Sequence, residues 1–552
     1  MRVLSSIMTR PAVVDLSLLS FKTMRGQTEV SSVCRALWLS GLLLLFACVG
    51  LTNATTQQGE TQPRSAQTGA PARVAKAKRP PRRAELEALV VDARALPPEY
   101  AADVLLRLVE SNKLTERAWQ RELLPEAFRT AGGTQQPIKR RIAPGLNYAY
   151  TREDYEARAF GLNLDTMSLR LRAVNAMIKI DKRKAREMFS ELPTKLPFTP
   201  LTCDDALVYT ALDFYDTLTQ IITMTFSAEE KARNEDVLFA QAYVDVMDAP
   251  EEVLPVSLLV ERLGDSPARS APLIHSYSMA LTKIEADDRS FTAANADIAI
   301  SLARDCPKQG LSPDELLAAF RAYFVTHMRT SRCADDELGK YGPGRVVLDR
   351  RMRQDLNAQL RADESGAQSL MLVTEDEIKP QKVEGEAKLT PFFTTLTAQS
   401  LFRTAQALRF GMADEPQTEE ERNEPKRVEQ LTAWLNAMAD WRGDGEASES
   451  DYFNQKCVLY QLLLEVWPTQ GPAADTLLRQ YIAFLREPAR CEENRAEWLL
   501  HVQRLLDSPR YNSSSERAHL LAELASSGAP VLRVYAALQT ARAQAVKSHT
   551  AP

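Results

Sequence analysis

An acidic pair follows cysteine in three places: Cys203-Asp204-Asp205, Cys333-Ala334-Asp335-Asp336 and Cys491-Glu492-Glu493. A thiolate beside carboxylates offers one soft and two hard donors, so metal binding is the first chemistry these residues suggest. Structural zinc, however, asks for two ligands roughly two to four residues apart and then a second such doublet, which the three clusters do not supply. Carboxylates also collect in first helical turns, where free N–H groups and the macrodipole favour negative charge. Thr202 stands where it would cap a helix opened by Asp204 and Asp205. The reading is helix starts, with no metal and no cofactor.

Nucleophiles and bases are as sparse. The histidines are His275, His327, His501, His519 and His549, scattered along the chain. His327 follows Phe320 and Phe324 at helical spacing, where a core imidazole fits better than a base. No H-E-x-x-H, G-x-S-x-G or Walker loop occurs, and Gly342-Pro343-Gly344 is glycine-rich only as a turn is. Glu110-Ser111 resembles the catalytic Glu-Ser of helical lytic transglycosylases, exported enzymes in which one carboxylic acid works on a glycosidic bond. The Gly-Leu-Met-Gln element expected soon afterwards is missing, and Gly145-Leu146-Asn147 is a poor and distant substitute. Glu110 therefore reads as the solvated end of an amphipathic helix, and no residue is assigned a catalytic role.

Five cysteines lie in the second to last hundreds of the chain: Cys203, Cys306, Cys333, Cys457 and Cys491. An odd number leaves one thiol outside any intramolecular pairing. Alternate helices of an up-down stack begin at the same end, which makes Cys457 and Cys491 the better candidate disulfide. Cys306 and Cys333 flank a helix about 27 Å long, so a second bridge between them needs both flanks to fold back.

The elements that must position these residues are helices. Glycine is scarce, 21 in 552 residues, against roughly 39 at average usage. Ala, Leu, Glu and Arg dominate, all good helix formers. Leu96, Tyr100, Val104 and Leu108 recur every fourth residue, and Trp119, Leu123, Leu124, Ala127 and Phe128 form a second apolar face. Asp204 to Phe226 is apolar nearly all round. Further helices are expected near Asn234–Asp248, Glu251–Leu263, Ser270–Ile284, Phe291–Asp305 and Ser312–Arg329. In the last of these Ser312 stands as N-cap, Pro313 at the first helical position and Glu315 where it closes a capping box. A later set falls near Phe392–Phe410, Lys426–Trp441, Asp451–Trp467, Ala473–Arg486, Glu492–Leu506, Ser515–Ser526 and Val531–Ala545. No strand alternation is convincing.

The segment that orders everything else is Ala36–Leu51, ALWLSGLLLLFACVGL, sixteen residues without charge. As a helix it rises about 24 Å, short of a hydrocarbon core of about 30 Å. Its length lies between a secretory signal and a minimal anchor. Lys22, Arg25 and Arg35 precede it and the next basic residue is Arg64, a bias that keeps the amino terminus cytoplasmic and sends the rest across. Ala54, with Thr52 before it, is the candidate cleavage position. Met24-Arg25 would make a more ordinary start.

The domain reading is an n-region at 1–35, a signal peptide or signal anchor at 36–54, a flexible Pro/Ala/basic linker at 55–83, a helical domain at 84–362, an acidic linker at 363–389 and a second helical domain at 390–547. The fold class is all-α, stacked antiparallel helical hairpins, α-solenoid-like, in two blocks. Net charge of −5 gives no electrostatic reason to expect nucleic acid. The expected function is an exported or membrane-tethered protein- or peptide-binding or scaffolding module at the cell envelope. The alternatives are an envelope hydrolase built from dispersed carboxylates and a structural membrane-tethered protein. The expected location is periplasmic or extracellular, or a single-pass membrane protein with its carboxyl-terminal domain outside.

Overall fold

A computed structural model describes residues 84–111, 114–137, 139–141, 158–198, 205–285, 296–329, 332–333, 345–361, 372–378, 383–384, 391–413, 425–446, 448–465, 467, 471–487, 495–511 and 513–549. The apolar stretch, Ala54 and the linker at 55–83 lie outside those residues. No helix among the described residues is long and apolar enough to cross a membrane.

Helices α1 (Ala84–Arg94), α2 (Pro98–Glu110) and α3 (Arg117–Ala131) open the fold. Both expected stripes are buried: Leu96, Tyr100, Val104 and Leu108 on one side, Trp119, Leu123, Leu124, Ala127 and Phe128 on the other. The three-residue strand β1 (Lys139–Arg141) follows. Helices α4 (Thr166–Ile178) and α5 (Lys182–Ser190) are each started by an aspartate. Asp165 accepts from the backbone N–H groups of Met167 and Ser168, and Asp181 from that of Lys184, contacts worth about 1 kcal/mol per cap.

The helix expected from Asp204 begins later. Asp205–Leu207 forms β2, antiparallel to β1 with Lys139 opposite Leu207. Pairing with β1 takes the backbone groups a helix would use, and Thr210 supplies the cap by accepting from the N–H of Asp213. The helix α6 is therefore Ala211–Thr225. Next come α7 (Ala228–Ala232), α8 (Glu235–Val244), α9 (Val253–Leu263), α10 (Pro267–Leu281), α11 (Ala296–Asp305) and α12 (Asp314–Met328). The capping box expected at α12 does not form. Ser312 Oγ accepts from the Asp314 N–H at 3.2 Å, while Glu315 turns to His275 Nδ1 at 2.6 Å.

Strand β3 (Arg332–Cys333) runs parallel to β4 (Val383–Glu384), with α13 (Arg345–Arg361) between them. The carboxyl-terminal set is α14 (Leu396–Ala413), α15 (Pro425–Asp440), α16 (Glu449–Leu464), α17 (Pro472–Leu485), α18 (Arg495–Asp507), α19 (Ser514–Ser526) and α20 (Pro530–His549). Neighbours in sequence pack on one another, and the fold is all-α apart from the two short ladders.

Two features separate this arrangement from two blocks on a free linker. Part of the acidic stretch is docked: Val373 and Ile378 are buried, and Glu377 binds Arg321 of α12 at 2.7 Å. Its few apolar side chains hold it against the helices. The second feature is that α20 packs on α1 and α2, so residues 81–552 form one compact unit.

That closure is chemically specific. Asp103 of α2, only 1 % exposed at its side chain, receives Arg107 Nε, Arg172 Nη1 and the Tyr535 hydroxyl, each at 2.7 Å. Arg172 extends the network to both oxygens of Glu110 at 2.8 Å. Burial pushes the Asp103 carboxyl up, but the guanidinium groups of Arg107 and Arg172 and the hydrogen bonds outweigh it and leave the carboxyl below its ordinary value. Beside it, buried Glu99 takes Arg495 Nη1 at 2.9 Å, and the Tyr100 hydroxyl donates to the Arg495 carbonyl. The Tyr100 ring lies 5.7 Å from Trp498 and edge-on to Tyr535 at 6.4 Å. Residues almost four hundred or more positions apart thus share one buried polar and aromatic cluster.

Candidate functional site

A cavity of about 470 Å³ opens between α14, α16 and α18. Helix α16 gives it Val458, Gln461, Leu462 and Glu465, residues at i, i+3, i+4 and i+7 and hence on one face. Arg409 comes from the carboxyl-terminal half of α14, Arg504 and Asp507 from the end of α18, and Arg158 from the short helical run at 158–160. Phe392, Leu505 and Tyr511 complete an apolar wall. Helix periodicity explains the wall: Leu505 continues the buried stripe of Trp498 and Val502, and Arg504 falls beside it toward the opening.

The charges are unequal. Three guanidinium groups, Arg158, Arg409 and Arg504, share the cavity with two carboxylates, Glu465 and Asp507. Arg409 Nη2 is 3.7 Å from Glu465 Oε2, with that carboxylate 61 % exposed, a solvated pair worth little by itself. Behind the wall, Gln461 donates to the Tyr481 hydroxyl at 2.8 Å and stands 3.1 Å from His501 Nδ1, while Arg504 Nη1 reaches Gln461 Oε1 at 3.4 Å. A donor at Nδ1 leaves the imidazole proton on Nε2. Burial, reinforced by the charges of Arg504 and Arg158, holds His501 well below the usual histidine range, so it is neutral. The cavity's excess positive charge therefore comes from its arginines alone.

Nothing known resembles it. No protein-family model matches the chain, no curated protein matches its sequence, and no solved structure matches its fold.

The residues singled out in the sequence do not converge here. Cys203, Asp204, Asp335, Asp336, Cys491, Glu492 and Glu493 lie outside the described residues, as do the side chains of Cys333 and Asp205. Among the described residues no group of three or more His, Cys, Asp or Glu is placed to hold a metal. Cys457 is buried in α16, and Cys491, its candidate partner, is outside the described residues. Cys306 is a buried free thiol whose Sγ donates to the Leu302 carbonyl at 3.4 Å. It ends α11 facing the core, away from any need for the Cys333 bridge expected of it. Glu110 does close α2, but it is bound by Arg172 and does not stand as a bare carboxylate.

One carboxyl has the pKa of a general acid. Burial raises Glu252 to about 7, against the lowering effect of hydrogen bonds from the Tyr215 hydroxyl and the Asp248 and Ala249 N–H groups. It is 2 % exposed and caps its own turn before α9, so no substrate reaches it and its role is structural. His327 is likewise buried, 4.5 Å from the Tyr323 ring.

Sequence reasoning passed over Arg158, Arg409 and Arg504. Each is an ordinary arginine on an amphipathic helix, and the intervals between them carry no motif. The only local signal is the Val458/Gln461/Leu462/Glu465 face, which mixes apolar and polar residues on a helix otherwise buried nearly all round.

Proposed function

We propose that the protein is an exported or membrane-tethered binding module of the cell envelope, and that a protein or peptide partner is held at the arginine-lined cavity. The single observation behind this reading is the convergence of three guanidinium groups on an apolar cavity of ligand size; pockets of roughly 300–1,000 Å³ with few polar groups on apolar walls are the usual form of a binding site. Export rests on the uncharged Ala36–Leu51 stretch and the basic residues before it.

The test is site-specific photo-crosslinking in the native cell. A photoreactive residue at Ser508, which lines the cavity, yields a discrete covalent adduct, and one at exposed Leu238 on α8 does not. Absence of any adduct from Ser508, or the same adducts from both positions, contradicts the reading. Intact mass tests the export part: a chain starting at Thr55, or an intact chain cleaved by protease added outside, agrees with it. An intact chain protected from external protease in spheroplasts opposes it.

A further inference from the structure

The charge balance and the walls of the cavity narrow the ligand further, on the reading that the cavity is a binding site. One positive charge remains when Arg158, Arg409 and Arg504 are set against Glu465 and Asp507. A guanidinium left unpaired in a partly closed, apolar-walled space is unfavourable, and one entering negative charge relieves it. A phosphate monoester carries about −1.5 to −2 at neutral pH and would overshoot the balance beside two resident carboxylates. A carboxylate carries one charge and matches the guanidinium fork with two parallel N–H···O bonds. Val458, Leu462 and Leu505 then offer only dispersion and dehydration to whatever the carboxylate is attached to. At about 470 Å³ the space takes a short segment and no polymer.

We propose that the cavity selects a monocarboxylate borne on an apolar body. A peptide ending in a hydrophobic residue and a free acyl chain present the same chemistry, so the test carries both.

The experiment is isothermal titration of the full chain with four probes: N-acetyl-leucyl-phenylalanine, its carboxyl-terminal amide, decanoate and inorganic phosphate. At least one carboxylate binds, and the amide binds about tenfold or more weakly than the acid, the difference expected for losing a charge-assisted hydrogen-bonded pair. Tighter binding of the acetyl dipeptide assigns the site to peptide carboxyl termini; tighter binding of decanoate assigns it to acyl chains. Arg504→Gln lowers carboxylate affinity about tenfold and leaves any residual amide binding unchanged. Arg409→Gln repeats the test should the first variant lose its helical circular dichroism. Equal binding of acid and amide overturns carboxylate selection while leaving the cavity a binding site. Binding of phosphate in place of the acids overturns the charge argument, and binding of none of the four overturns both the selection and the cavity reading beneath it.

Discussion

Closure of the fold by its last helix can be measured at one carboxylate. Asp103→Asn keeps the volume of the side chain and removes its charge, leaving Arg107 and Arg172 facing a neutral amide. Breaking a buried ion pair on one side costs about 3–5 kcal/mol. The two arginine side chains are 22 % and 31 % exposed, and Arg172 keeps Glu110, so water and the second carboxylate recover part of the loss. The expected destabilisation is about 3 kcal/mol, the low end of that range. Tyr535→Phe removes a hydroxyl donor to a charged acceptor, about 1.5–3 kcal/mol. Both substitutions act on the same oxygen, Oδ2 of Asp103, so the double variant loses less than the sum, with a coupling of at least about 1 kcal/mol. Urea unfolding followed by circular dichroism gives the three differences. Hydrogen exchange then locates them, with protection falling in α1, α2 and α20 before α8 to α10. An Asp103→Asn change below about 0.5 kcal/mol, or strict additivity with Tyr535→Phe, would refute the reasoning.

Glu252 gives a pH test with a definite sign. Its carboxyl is raised from 4.5 to about 7 in the fold, so between those values the folded chain holds a proton that the unfolded chain has released. Its contribution is therefore lost as pH rises through that window, by about 3 kcal/mol at 1.36 kcal/mol per pK unit. The difference in stability between the parent protein and Glu252→Gln, measured at pH 5 and pH 8, changes by that order; a difference independent of pH sinks the assignment. Cys306 is 1 % exposed and burial pushes its thiol up, so iodoacetamide at pH 7.5 labels it only after denaturation, as read by peptide mass. Rapid labelling of the native protein would contradict its placement.

The helices were legible in the sequence because their apolar residues recur at helical spacing. The expected Ala473–Arg486 and Ser515–Ser526 fall within a residue or two of α17 and α19, and the stripe through Tyr100 and Val104 is buried as read. Errors came where a tertiary partner outbid local preference. Asp205–Leu207 looks helical by its neighbours and pairs with β1 instead. Glu315 fits a capping box and meets His275, forty residues earlier. The short helices α5 and α7 were missed, since Lys182–Ser190 and Ala228–Ala232 carry few apolar residues. Contacts between Asp103 and Tyr535, or between Glu99 and Arg495, leave no trace in periodicity, because a buried carboxylate and an exposed one are spelled alike. The cavity was invisible for the same reason: Arg158, Arg409 and Arg504 become a site only when three distant helical segments meet.

The most direct measurement is methyl NMR of the perdeuterated protein, labelled at Val and Leu methyl groups, during titration with the carboxylate probe that binds. Val458, Leu462 and Leu505, which line the cavity, shift together along one saturable isotherm, while Val90 and Leu532, buried in the closing helices α1 and α20, stay where they are. Saturable shifts confined to other methyl groups, with Val458, Leu462 and Leu505 unmoved, would place the ligand elsewhere and contradict a binding role for the cavity.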